Sequence, residues 1–166
     1  MNESYKELMV KKESGLKEKL LRVVSLIPTI FLGFLTLLTG NMIILIIAIG
    51  LGVLCYFVFQ WTDIEYEYLY LDKEINIDKI MAKTRRKRVA TISTEKMEIL
   101  APAKSHQLDS YRSRKVKEAD YSAGNDMPEQ KLYALYSEGS QKYLLSLDED
   151  FVKTIKGIAP RKVFMD

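Results

Sequence analysis

Two residue types that build metal centres and covalent cross-links are nearly missing from this sequence. Its 166 residues include one cysteine, Cys55, and one histidine, His106. A lone cysteine excludes a disulfide framework within the chain, and one histidine with one cysteine falls short of the usual ligand set of a zinc site. The sequence has no phosphate-binding loop and no kinase motif. We therefore expect no metal, no cofactor and no catalytic residues, and we expect that the protein is not an enzyme.

Charge is missing from one long stretch. The chain holds 25 Lys and Arg and 22 Asp and Glu, yet none of them lies between Val23 and Thr62. The mean hydropathy of -0.08 resembles that of a soluble protein only because it averages the uncharged apolar stretch with the charged remainder of the chain. An uncharged apolar run of this length indicates a membrane segment. As a single helix it would be about 60 Å long, about twice the thickness of a hydrocarbon core, so we expect it to turn back.

The turn is predicted at Thr39-Gly40-Asn41, where glycine and asparagine interrupt the apolar residues. The sequence thus predicts a transmembrane helical hairpin over residues 20–61, with legs 20–38 and 42–60. Neither leg contains a charged residue except Arg22 near the start. A channel or pump is not expected, because the ionisable groups of a transport path are missing.

Small residues in the legs predict close helix packing. Gly33, Ala48 and Gly52 would let two backbones approach, and Ala48 and Gly52 have the small-xxx-small spacing. This pattern favours packing of the two legs against each other. Association of two copies of the chain, a homo-oligomer, is the alternative.

The distribution of basic residues predicts the orientation of the hairpin. The connecting turn has no Lys or Arg, whereas six basic residues precede the first leg. By the positive-inside rule, both termini should be cytoplasmic in a multi-pass protein of the cell (inner) membrane. The six residues are Lys6, Lys11, Lys12, Lys17, Lys19 and Arg22.

The N-terminal segment, residues 1–19, is predicted to be an amphipathic cytoplasmic helix. Its apolar residues recur at near-helical intervals with Lys and Glu between them, so an interfacial helix on anionic lipid is expected. A solvated, partly frayed lead-in is the alternative. The apolar residues concerned are Tyr5, Leu8, Met9, Leu16 and Leu20.

After Trp61 the hydropathy period changes to two, which is typical of strands. Residues 62–166 are therefore predicted to form a cytoplasmic β-rich domain that ends in a helix over 148–158, with Asp148 as its N-cap. A long polar loop with at most one helical turn is expected over 104–128. The predicted strands are 64–71, 75–80, 86–93, 97–100, 131–137 and 141–147.

The densest basic run covers the turn between the second and third predicted strands and the start of the third. If the first strand leaves the membrane and the second returns, the turn near Lys83 should approach the lipid headgroups again. We therefore regard Lys83, Arg85, Arg86, Lys87 and Arg88 as candidate headgroup-binding residues. A solvated edge strand protected by charge is the alternative. Nucleic acid is not an expected partner, because acids and bases are nearly balanced beyond the hairpin.

Two other groups of residues contain side chains of the types that enzymes use in catalysis. Glu65 and Glu67 share a strand face, but they alternate with tyrosines in the manner of an ordinary solvent-facing side. Ser105, His106 and Asp109 are residue types found in nucleophilic triads, but adjacent Ser and His do not place a base on its nucleophile. Neither pattern predicts an active site.

Several segments resemble a bacterial membrane-protein family catalogued only as a domain of unknown function. The resemblance covers nearly the whole chain and implies an architecture without an assigned activity. The segments beyond the two apolar legs are Asn2-Glu3-Ser4-Tyr5, Leu8-Met9-Val10-Lys11-Lys12, Glu65-Tyr66-Glu67-Tyr68-Leu69-Tyr70, Asp72-Lys73-Glu74, Arg86-Lys87-Arg88-Val89, Met97-Glu98-Ile99 and Ser105-His106 with Asp109-Ser110-Tyr111.

The order of elements is also similar to that of membrane-anchored bacterial pleckstrin-homology-like (PH-like) domains. The expected fold class is α+β: a two-helix transmembrane hairpin, then a small antiparallel β-barrel or sandwich with a C-terminal helix. We expect a non-enzymatic protein that presents this domain at the cytoplasmic membrane face to bind a protein partner or lipid headgroups. The alternative is an accessory subunit of a larger membrane complex that packs through its hairpin.

Overall fold

The computed structural model describes residues 5–124 and 129–165. These residues belong to two compact units. The β unit takes its residues from 1–13, 65–80 and 86–166, and the hairpin unit comprises 14–64 and 81–85. In chain order the elements are β1 (Lys6–Lys11), α1 (Leu16–Thr39), α2 (Met42–Thr62), β2 (Ile64–Leu71), β3 (Glu74–Met81), β4 (Arg85–Ser93), β5 (Met97–Pro102), α3 (Asp109–Arg112), β6 (Lys117–Asp120), β7 (Lys131–Ser137), β8 (Gln141–Leu147) and α4 (Glu149–Ile158).

The hairpin unit turns where the sequence predicts. Gly40 ends α1 in the left-handed conformation, with φ 61°, and its N–H donates to the carbonyl of Thr36. Asn41 then caps α2, because its side chain accepts from the N–H of Ile43 at 2.9 Å. A residue with a Cβ would be strained at Gly40, so glycine suits this helix end.

One face of α2 packs against α1. Its buried residues are Ala48, Cys55 and Thr62, which lie seven apart, as in the seam between two helices that pack side by side. Most large apolar side chains on the other faces are exposed. Both helices are long and apolar enough to cross a membrane, and an apolar surface of this extent is unfavourable in water.

The β unit consists of two four-stranded sheets. Their strand orders are β1-β2-β3-β4 and β5-β7-β8-β6. The β1–β2, β5–β7 and β7–β8 pairs are antiparallel, whereas β6 runs parallel to β8. The described residues form a sandwich of two open sheets and not a closed barrel. Of the two predicted forms, barrel or sandwich, the sandwich is therefore the correct one.

Tyrosines from the first sheet form much of the core between the sheets. Tyr68 is fully buried; its hydroxyl donates to the carbonyl of Tyr121 at 2.6 Å and accepts from the N–H of Ser146 at 3.3 Å. Its ring meets that of Phe151 on α4, with centroids 6.3 Å apart. Burial raises the pKa of Tyr68 well above its ordinary value. The closing helix therefore packs on the tyrosine face, and Asp148 caps it by accepting from Phe151 N–H at 2.7 Å.

The prediction of an amphipathic helix over residues 1–19 is wrong. Residues 6–11 form strand β1, which pairs with β2 from Lys6 opposite Tyr70 to Lys11 opposite Glu65, and residues 1–4 lie outside the described part. The apolar residues fit a strand equally well, since Val10 is buried and Met9 is exposed. The domain boundary at residue 62 is also wrong, because a fragment that starts there lacks the edge strand beside β2.

Over its described residues, 104–124, the polar segment is more ordered than a long loop with one helical turn. It contains a short 3₁₀ turn at His106–Leu108, then α3, and then β6. Strand β6 has only four residues, and its parallel pairing with β8 leaves no local signal in the sequence. The predicted turn residues Asn125 and Asp126 lie outside the described residues.

Candidate functional site

The turn between β3 and β4 belongs to the hairpin unit. The N–H of Ala82 donates to the carbonyl of Asp63, just beyond the end of α2, at 2.9 Å. Ala82 and Lys83 have positive φ angles of 49° and 57°, as the two central residues of a type I′ hairpin turn require. The turn therefore returns to the C-terminal end of the second apolar helix, as the strand geometry predicts.

A pocket of about 420 Å³ lies beside this turn, within the hairpin unit. That volume falls in the range of small-molecule sites, about 300–1,000 Å³. It combines one cation, one carboxylate, an amide and two hydroxyl side chains with apolar surface, so it can accept a polar, charged group. Its lining residues are Arg22, Tyr56, Phe59, Gln60, Asp63, Ala82 and Thr84.

Arg22 is held rigidly in this pocket. Its Nε donates to Thr62 Oγ1 at 2.6 Å, and its guanidinium carbon lies 5.5 Å from the centre of the Phe59 ring. Thr62 Oγ1 in turn donates to the carbonyl of Val58 at 2.9 Å. Stacking on an aromatic ring and a hydrogen bond at Nε fix the plane of the guanidinium fork.

The five cations of the basic run separate into two groups. Lys83 and Arg85 are exposed and belong to the hairpin unit, whereas Arg86, Lys87 and Arg88 belong to the β unit. Within the described part of the chain, Lys83, Arg85 and Lys87 make no ion pair. Headgroup binding by the run stays a prediction, and Lys83 and Arg85 are the cations that the fold places at the hairpin's end.

Arg86 and Arg88 instead pair with buried carboxylates. Arg86 forms an ion pair with Glu67 and lies 3.9 Å from Asp78. Arg88 donates from Nε to Asp78 Oδ1 at 3.0 Å. Glu67 and Asp78 are each only 7% exposed. A buried carboxylate without a partner would destabilise the fold strongly, so these two arginines have a structural role.

Glu67 was expected to face solvent, and that expectation is wrong. Burial raises its pKa, and a hydrogen bond with Glu7 raises it further, although Arg86 acts in the opposite direction. The pKa of Glu7 is lowered, chiefly because it accepts from the Tyr5 hydroxyl at 2.6 Å. The alternation of residues along β2 could not by itself reveal that Glu67 is buried, because its partner Arg86 lies on β4, two strands away.

The residues predicted for helix packing have different surroundings. Ala48 is buried. A Cβ built on Gly52 lies 3.9 Å from Thr29 Cγ2, and one on Gly33 meets nothing within 4 Å. Cys55 was not among the residues predicted for helix packing, yet its Sγ accepts from Ser25 Oγ at 3.5 Å across the two helices.

The triad-like residues do not converge. Ser105 Oγ accepts from the N–H of Gln107, Asp109 pairs with Arg112 at 3.0 Å, and His106 is exposed. Among the residues that the structure describes, no group of three or more His, Cys, Asp or Glu side chains could hold a metal ion.

Family comparison agrees with this architecture. A family model described as a bacterial PH-like domain matches residues 2–165. The chain belongs to the bacterial PH-like domain family DUF6106. The match confirms the resemblance to PH-like domains and extends it over both apolar helices; DUF6106 is a family of unknown function. A search of curated proteins gave no match, and a search of solved structures gave none.

Proposed function

We propose that this DUF6106 protein is a non-enzymatic membrane protein that is anchored by its helical hairpin and presents its PH-like unit at the cytoplasmic face. Lys83 and Arg85 contact anionic lipid headgroups there. The hydrogen bond from Ala82 to Asp63 carries the proposal, since it holds the turn with both cations at the end of α2. Each cation near an anionic leaflet contributes about 1 kcal/mol at most, so this contact orients the protein while the helices anchor it.

Residues near the same end of the hairpin support the orientation. Trp61 is 67% exposed, as expected for a ring in the headgroup zone. Arg22, Lys83 and Arg85 lie in the hairpin unit near the termini of the two helices, whereas the connecting turn has no basic residue. The positive-inside rule therefore favours the cytoplasmic side for this end.

Maleimide labelling in bacterial cells tests the anchoring. In a Cys55→Ala background, a membrane-impermeant maleimide should label Thr39→Cys in intact cells and Glu138→Cys only after lysis. Both positions are exposed in the structure. Labelling of Glu138→Cys in intact cells, or recovery of the chain in the soluble fraction, would contradict the proposed anchoring.

Hydrogen exchange of the full chain in lipid nanodiscs tests the headgroup contact. Amides of residues 81–86 should exchange more slowly in nanodiscs with phosphatidylglycerol than in phosphatidylcholine alone, and high salt should remove the difference. The pair Lys83→Glu and Arg85→Glu should abolish it. The matched control reverses two exposed lysines elsewhere, Lys115→Glu and Lys117→Glu. Equal exchange in both lipids would reject headgroup contact and favour a protein partner.

A further inference from the structure

Arg22 lies at the boundary of the uncharged segment. The run without charge begins at Val23 and ends at Thr62, and the Arg22 side chain bonds to Thr62 across the two helices. If the hairpin spans the membrane, both residues lie where hydrocarbon gives way to headgroups, because the polar zones together add about 10–15 Å to the hydrocarbon thickness. Lipid phosphates occupy this zone.

The donors of Arg22 match a phosphate. A guanidinium has five N–H groups in a fixed fork, and Nε is used by Thr62. Within the described residues, the two terminal nitrogens donate to no protein acceptor and no carboxylate lies within ion-pair distance. A fork with fixed orientation and unused terminal donors is suited to bidentate binding of a phosphate.

The pocket around Arg22 offers further polar groups. Gln60 Nε2 donates to the Tyr56 hydroxyl at 2.7 Å, which positions both side chains at the lining. Thr84 and Ala82 come from the β3–β4 turn. A guanidinium flanked by amide and hydroxyl side chains suits the charged phosphodiester of a phospholipid headgroup.

We propose that this pocket binds the phosphodiester of one membrane phospholipid through the Arg22 fork. This inference rests on the proposed anchoring, since it requires the hairpin to lie in a bilayer. It differs from the headgroup contact of Lys83 and Arg85, because it needs a shaped pocket and not charge alone. Phospholipid binding here also stabilises the contact between the ends of α1 and α2.

Native mass spectrometry of the full chain, extracted from nanodiscs of phosphatidylethanolamine and phosphatidylglycerol, tests the inference. The wild type should retain one phospholipid per chain. Arg22→Gln should reduce retention at least tenfold, and Arg22→Lys should give an intermediate loss, because it keeps the charge but not the fork. Lys19→Gln, an equal charge change at an exposed position one turn earlier, should retain the lipid.

Several outcomes would overturn the pocket. The first is an equal loss of bound lipid in Arg22→Gln and Lys19→Gln. The second is that the chain retains uncharged diacylglycerol as readily as phospholipid. The third is that glycerol phosphate displaces the lipid at equal concentration, which would indicate a soluble ligand. The anchoring is tested separately by maleimide labelling. If the wild type gives the expected labelling pattern but retains no lipid, lipid binding in the pocket is rejected and the anchoring is not.

Discussion

Arg86 on β4 forms an ion pair with Glu67 on β2, two strands away in the same sheet. The side chain of Asp78 on the intervening strand lies 3.9 Å from the same guanidinium. Two buried carboxylates thus depend on arginines from a strand at the sheet edge. A sequence motif that suggested lipid binding is partly used to neutralise the protein's own acids.

The first prediction concerns the loss of Arg86. Arg86→Gln should lower the free energy of unfolding by about 1–3 kcal/mol, because Glu67 loses its ion-pair partner while it stays buried. Thermal or denaturant unfolding of the full chain in detergent micelles measures the change. Lys87→Gln removes the same charge from an exposed neighbour and should change stability by less than about 0.5 kcal/mol. Equal effects of the two variants would show that the ion pair contributes nothing specific.

The second prediction concerns pH. The folded-state pKa of Glu67 is raised above its ordinary value of 4.5, so the stability that this group contributes is complete below that value. It is lost as pH rises through the folded-state pKa. The glutamine in Glu67→Gln cannot titrate, so this variant does not lose that stability. The free energy of unfolding of Glu67→Gln, relative to that of the wild type, should therefore increase as pH rises from about 4 to about 7. Stability curves that run parallel over this range would exclude a raised pKa. Glu149→Gln is the control, since the ion pair with Lys153 lowers the pKa of Glu149 and its contribution has the opposite sign.

The third prediction concerns the hydroxyl between the two sheets. Tyr68→Phe should lower the free energy of unfolding by about 1–3 kcal/mol, because the half-buried carbonyl of Tyr121 and the buried N–H of Ser146 both lose a partner. Tyr5→Phe removes an exposed hydroxyl and should be nearly neutral. Unfolding of both variants by the same denaturant series tests this. A neutral Tyr68→Phe would mean that another group or water replaces the hydroxyl.

The fourth prediction compares two glycines of the hairpin. Gly52→Leu should destabilise the helix pair by about 1–3 kcal/mol, because its side chain must enter the space next to Thr29. Gly33→Leu should leave the pair intact, since a Cβ there meets nothing within 4 Å. Thermal unfolding in micelles distinguishes the two. Destabilisation by Gly33→Leu alone would contradict the packing described above.

Gly33 also tests the alternative of association through the hairpin. A second copy of the chain, or another subunit of a larger membrane complex, could pack on the side of α1 that carries Gly33. In that case Gly33→Leu should abolish chemical cross-linking to this partner in native membranes and leave the stability of the hairpin unchanged. Unchanged cross-linking in this variant would exclude Gly33 from such an interface.

Much of the fold follows from local sequence patterns. The uncharged run with Gly40 and Asn41 predicted two apolar helices and their turn, because backbone in hydrocarbon must satisfy its own hydrogen bonds. Period-two alternation predicted β2, β7 and β8 with the bounds that the structure has. Asp148 predicted the start of α4, since a capping carboxylate acts on the residues directly after it.

Local patterns thus specify these elements, and they place the cations near Lys83 in and beside the turn of a strand pair. That residues 6–11 form a strand depends on tertiary pairing, because their partner on β2 lies more than 50 residues away in sequence. Only the tertiary structure separated Lys83 and Arg85 from Arg86 and Arg88, since a charged side chain pairs with whichever acid the fold places within reach. For the same reason Arg22, an ordinary flanking arginine in the sequence, is part of a pocket once Thr62 and Phe59 fix its orientation.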